Sequence, residues 1–163
     1  MEKLTVNIFT DGACRGNPGP GGYGAILESP GYPAKELSAG FSRTTNNRME
    51  LLAVIEALKS LKRYDVEATV FSDSKYVVDA INKGWVFAWQ KKNFKDKKNP
   101  DLWREFLAIY PKTKPKFVWI KGHNEHPQNE RCDKLAVAAA LKENLPPDLG
   151  FEVLKNTVKE SLF

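Results

Sequence analysis

Cysteine is almost missing from this sequence: Cys14 and Cys132 are the two in 163 residues. Two thiols build no disulfide framework, and a reduced, cytoplasmic setting suits them. They form neither a Cys-x-x-Cys pair nor the spacing of a zinc site. Both stand beside candidate functional residues, so the two thiols are candidates for spatial neighbours. Histidine is as scarce, with only His123 and His126. No apolar run approaches the ~20 residues of a membrane span, which argues against a membrane role. The opening MEKLTVNIFTDG lacks the uninterrupted apolar core and small-residue cleavage site of a signal peptide. The run DGACRGNPGPGG must turn, but no Gly-Lys-Ser/Thr follows it, which excludes a Walker-type phosphate loop. Neither an internal repeat nor a linker divides the chain.

What is present is ordinary in amount and uneven in placement. The chain is 42% hydrophobic and 28% charged, and long enough for one domain with a sizeable core. Its net charge is +5. The stretch from Lys83 to Lys98 holds Lys83, Lys91, Lys92, Lys95, Lys97 and Lys98 against the single Asp96, so the excess sits in one block. A concentrated basic block points to an anionic partner, nucleic acid first. Trp85, Trp89 and Phe94 interleave with these lysines. They suit either a nucleic-acid contact surface or the buried side of an amphipathic helix.

Periodicity predicts an α/β domain. Leu4 to Thr10, GYGAILES and Lys35 to Arg43 read as three strands of an antiparallel meander. NNRMELLAVIEALKSL places Leu51, Val54, Ile55, Leu58 and Leu61 at helical spacing. Ala68 to Asp73 reads as a strand and SKYVVDAI as a helix. DLWREFLAIY from Asp101 is helical, and KFVWIKG from Lys116 is a strand. NERCDKLAVAAALK is a helix stopped by Pro146 and Pro147. Strands first, then alternating helices and strands, imply a mixed sheet with helices against it. We expect a catalytic domain over residues 1–145 and a tail over 146–163 that forms no separate domain.

Four acids occupy positions that need explaining. Glu50 borders the apolar side of its helix, where an unpaired carboxylate is costly. A local explanation is a capping box, with Asn47 as N-cap and Glu50 reaching back to it. Asp11 and Asp73 each end a strand, in IFTDG and VFSDS; turn formation and N-capping are the local explanations. Asp133 shares a helix face with Ala136, Val137 and Ala140, with the helix dipole as its local explanation. One account covers all four: they converge on cations. Hard oxygen donors without paired His or nearby Cys suit Mg²⁺ or Mn²⁺. Two such ions can support in-line displacement at a phosphate.

The phrases IFTDGACRGNPGPGGYGAIL, AGFSRTTNNRMEL, FSDSKYV, DLW and WIKGHNEHPQNERCDKLA together resemble ribonuclease H of type 1, over most of the chain. The resemblance implies a five-stranded mixed sheet, its first three strands antiparallel, flanked by helices. It implies a monomeric endonuclease that hydrolyses the RNA strand of RNA–DNA hybrids, largely independent of sequence, leaving 5′-phosphate and 3′-hydroxyl ends. It assigns Asp11, Glu50, Asp73 and Asp133 to two Mg²⁺ ions, with Mn²⁺ as a possible substitute. His123 becomes the catalytic histidine, with proton transfer or product release as its task; His126 receives no role.

The same resemblance places Asn17, Asn46, Asn47 and the backbone at Cys14 near the RNA sugar, where the 2′-OH distinguishes RNA from DNA. It puts Arg43, Thr45 and Asn129 at a DNA-strand phosphate. Trp85 and Trp89 line the DNA channel, with Lys91, Lys92 and Lys95 in a basic protrusion. Lys75 departs from the pattern, standing where glutamine is familiar. A non-catalytic nucleic-acid module and a DNA-processing nuclease of the same fold are the alternatives.

Overall fold

A computed structural model of the chain describes residues 3–122 and 126–153. It contains β1 (Leu4–Cys14), β2 (Gly19–Glu28), β3 (Lys35–Thr44), α1 (Asn46–Lys59), β4 (Val66–Ser72), α2 (Lys75–Asn82), α3 (Trp85–Lys91), α4 (Pro100–Thr113), β5 (Lys116–Trp119) and α5 (Pro127–Ala140). The sheet order is β3-β2-β1-β4-β5. β1 pairs antiparallel with β2, and β2 antiparallel with β3. β4 runs parallel to β1, and β5 parallel to β4. This is the mixed sheet the sequence predicts.

Alternation along the strands decides which side each helix covers. In β2, Tyr23 packs with Met49 and Ala53 of α1, while the next-door Gly22 and Gly24 face the backbone of α5. The α1 side holds the main core: Ile8, Leu51, Val54, Ile55, Leu58 and Val70 are fully buried, with Trp103 and Phe106 of α4. Each such side chain contributes roughly 1.5–3 kcal/mol through removal from water.

Several local expectations change. β1 runs four residues past Thr10, because its ladder with the glycines of β2 continues to Cys14 opposite Gly21. Asp11 therefore lies inside a strand, opposite Gly24, and is not a turn former. The N-cap of α1 is Thr45, whose Oγ1 accepts from Arg48 N at 3.3 Å, so the Asn47 capping box does not form. Ser74 caps α2 by accepting from Val77 N at 3.2 Å; Asp73 does not. α3 is a separate short helix within the basic block. α5 ends at Ala140, well before Pro146 and Pro147, so the prolines are not what stops it.

The chain after α5 returns across the sheet's β3 edge, where Ser42 N donates to Pro146 O at 2.8 Å. Asp148 beyond it is buried. Among the described residues no helix is long and apolar enough to cross a membrane.

Candidate metal and catalytic site

Three elements bring three acids together. Asp11 comes from the middle of the sheet, Glu50 from the first turns of α1, and Asp73 from the turn between β4 and α2. One carboxylate oxygen from each lies within 4.8 Å of the others. Glycine makes the approach possible. A Cβ at Gly12 would come within 2.6 Å of Glu50 N, so the bare backbone lets α1 start against the strand. A Cβ at Gly122 would sit 2.9 Å from Asp73 Oδ2. Trp119 of β5 steadies the same turn: its indole N–H donates to the Asp73 carbonyl at 3.1 Å.

The electrostatics are those of three carboxyl groups crowded together, two of them buried. Burial first, and then the neighbouring Asp73, push the Asp11 carboxyl up to about 7. Burial, then Asp11 and Asp73, push Glu50 well above the ordinary carboxylate range. Glu50 is 5% exposed, and its Oε2 has no hydrogen-bond partner among the described residues. An orphaned buried carboxylate oxygen costs free energy, and a cation beside it would remove that cost. All three donors are hard oxygens. The residues present therefore fit a divalent metal of the Mg²⁺ class.

Asp133 stands further off. It lies half-buried on α5, outside the 4.8 Å group, yet its charge contributes to raising Asp11. What lets it approach is a feature sequence reading passed over. Gly22, Gly24 and Gly40 have no Cβ where α5 crosses; one at Gly22 would lie 2.5 Å from Ala136 O, and at Gly24 and Gly40 it would strike the carbonyls of Cys132 and Ala139. The available signal was the alternation Gly22-Tyr23-Gly24, which marks a strand face reserved for a close neighbour.

His123 lies outside the described residues. His126 occupies the N-cap position of α5 and makes no side-chain capping bond. Around the acids, Asn17 Oδ1 accepts from Asn46 N at 3.0 Å. The Cys14 thiol faces the Thr44 carbonyl at 3.4 Å. Cys132 is buried, bonded to the Phe9 carbonyl, and both cysteines are free thiols. Arg43 and Asn47 are exposed, and Thr45 and Asn46 half-buried. Asn129 is fully buried, with neither amide atom partnered among the described residues.

The aromatic residues of the basic block divide between the two expectations. Trp85 is 45% exposed, with Lys83 over its ring. Trp89 packs edge-on to Trp103, and Phe94 is buried in the core. Lys91, Lys92 and Lys95 are exposed. Lys75 rests 4.8 Å above the Trp119 ring, beside the Asp73 turn.

Comparison with known proteins agrees with this geometry. The family model described as RNase H matches residues 3–141. The ribonuclease H of Nitratidesulfovibrio vulgaris (strain DP4) is 50% identical over 156 residues, covering 93% of this chain and 99% of that one. Among solved structures, LC9-RNase H1, a type 1 RNase H with the type 2 active-site motif, superposes with a TM-score of 0.74 at 32% identity, over 86% of this chain and 74% of that one. LC11-RNase H1 in complex with an RNA/DNA hybrid gives a TM-score of 0.63 at 29% identity, over 83% of this chain and 96% of that one. With its family model spanning most of the sequence, a relative at half identity, and a sheet whose central strand and flanking elements gather the three acids, the chain belongs to the ribonuclease H family, type 1.

Proposed function

We propose that this protein is an endoribonuclease that hydrolyses the RNA strand of RNA–DNA hybrids, leaving 5′-phosphate and 3′-hydroxyl ends. The observation that carries the reading is the cluster of buried Asp11 and Glu50 with half-buried Asp73, in which Glu50 Oε2 is unpartnered among the described residues. The relative LC11-RNase H1 is described with an RNA/DNA hybrid, which supports that substrate.

Asp11, Glu50, Asp73 and, from α5, Asp133 would hold two divalent ions, Mg²⁺ in the first place and Mn²⁺ as a substitute. When bound, such ions supply a water of lowered pKa and neutralise charge on the reacting phosphate. The protein's own work is to give up protons from Asp11 and Glu50 and to keep their oxygens fixed from rigid elements. No covalent nucleophile is needed: Cys132 is buried and its thiol is driven up by burial and by Asp11, the opposite of an activated thiolate. His123 is assigned proton transfer or product release, work suited to an imidazole.

Arg43, Thr45 and Asn129 are assigned to a DNA-strand phosphate, and Asn17, Asn46, Asn47 and the Cys14 backbone to the RNA sugar. Asn129 has a free donor to offer, though it must be uncovered to reach a phosphate. Trp85, the half-buried Trp89 and the exposed lysines are assigned to the DNA strand. Phosphate and sugar contacts carry no base information, so cutting is largely sequence-independent. The test compares labelled hybrid, duplex DNA and duplex RNA in Mg²⁺. The RNA of the hybrid is cut and the other duplexes survive; equal cutting of duplex DNA would overturn the reading.

A further inference from the structure

Two residues before Glu50, Arg48 is 1% exposed yet carries a full charge. Its Nη1 and Nη2 donate to both oxygens of Asp101 at 2.8 and 2.7 Å. Its Nε and Nη2 donate to Asp148 at 2.7 and 3.0 Å, and Nη1 reaches Asn99 Oδ1 at 3.3 Å. Thr44, fully buried, donates its hydroxyl to Asp148 Oδ2 at 2.7 Å. Gly150 closes the arrangement, since a Cβ there would strike Asp101 and crowd Arg48 Nη2. Burial works to raise the Asp148 carboxyl, but the bonds from Arg48 and Thr44 outweigh it and hold the group below the usual range.

A buried ion cluster is weak evidence of net stability and better evidence of a fixed geometry. The geometry fixed here is that of one turn. Thr44 is the last residue of β3, Thr45 caps α1, and Asn46 N is bonded to Asn17. Arg43 and Asn47 project from the same turn into solvent. Asp148, about a hundred residues away in sequence, forms its floor.

We propose that Asp148 is a positioning residue for hybrid binding: through Thr44 and Arg48 it holds the 43–47 turn in the conformation that grips the nucleic acid. This rests on the assignment of that turn to substrate. The test uses the full chain as Asp148→Asn, Asn47→Ala and the double variant, assayed in Mg²⁺ where each is fully folded by circular dichroism. Asp148→Asn raises KM about three- to tenfold, in line with the loss of one or two hydrogen bonds, and leaves kcat within about twofold. Because both changes act through one turn, the double variant raises KM by less than the product of the single effects. Thr44→Val, which deletes one hydroxyl and keeps the ion cluster, gives the same KM rise if Asp148→Asn fails to fold.

A wild-type KM in Asp148→Asn with lowered melting temperature would reduce Asp148 to a stabilising role and overturn the proposal. Multiplying effects, or a fall in kcat alone, would overturn it too. A wild-type KM in Asn47→Ala with raised KM in Asp148→Asn would remove the turn's assignment to substrate instead, and the proposal with it.

Discussion

A carboxyl pushed up to about 7 is half-ionised at neutral pH, and Asp11 is such a group inside a folded strand. The unfolded chain would release that proton near 3.8. The folded state thus holds it more tightly, and stability falls as pH rises from about 4 through about 7. Glu50 acts in the same direction. In EDTA, Asp11→Asn therefore melts higher than wild type at pH 8, by about 2–4 °C for each kcal/mol recovered, and the gap closes near pH 4. Melting curves at the two pH values check this, and a gap independent of pH would contradict it. The same variant loses Mg²⁺-dependent cleavage, because an amide cannot replace the carboxylate donor. His123→Ala keeps more activity than Asp11→Asn, since water or buffer substitutes partly for a proton carrier. Turnover at saturating hybrid from pH 6 to 9 tests it; a wild-type profile would remove His123 from the chemistry.

Helix α5 touches the sheet backbone to backbone, so the glycines of β2 and β3 act as its seat. Gly24→Ala inserts a methyl group against the Cys132 carbonyl and costs about 1–3 kcal/mol, read from denaturant unfolding. It also moves Asp133 outward, so Mn²⁺ affinity by calorimetry falls beyond what the stability loss accounts for. The basic block is a second element with its own readout. Replacing Lys91, Lys92 and Lys95 by alanine flattens the salt dependence of hybrid affinity by up to about three units of slope while turnover stays near wild type. Parallel lines would assign these lysines to solubility.

Much of this was legible in sequence because the signals are local. The order Asp11, Glu50, Asp73 sits in motifs a few residues long, and the sheet follows from alternation and turns. What escaped was long-range. Nothing near Arg48 in the sequence names Asp101 or Asp148 as its partners, and an arginine in a helix reads as surface. Thr45 could have been chosen over Asn47 as cap only by knowing where β3 ends. The helical pattern ends close to where α5 does, but its visible stop, proline, is not the cause: α5 finishes at a Leu141 cap that carries no such mark.

For the molecule as a whole, metal and fold are coupled, since a cation that binds the folded acids does not find them gathered in the unfolded chain. Mg²⁺ at about a hundred times its dissociation constant adds ~2.7 kcal/mol to wild-type stability. Calorimetric scans with Mg²⁺ and with EDTA differ for wild type and coincide for Asp11→Asn; equal shifts would point to nonspecific ion effects. β1 lies at the centre of the sheet, between β2 and β4. Asp11, Glu50 and Asp73 are all encoded before β5 and α5. On a ribosome, where the chain emerges in order, four strands and three acids are available while Asp133 is still unmade. The half of the sheet under α5 waits uncovered for its last helix, so a nascent chain can gather three of its carboxylates before it owns the fourth.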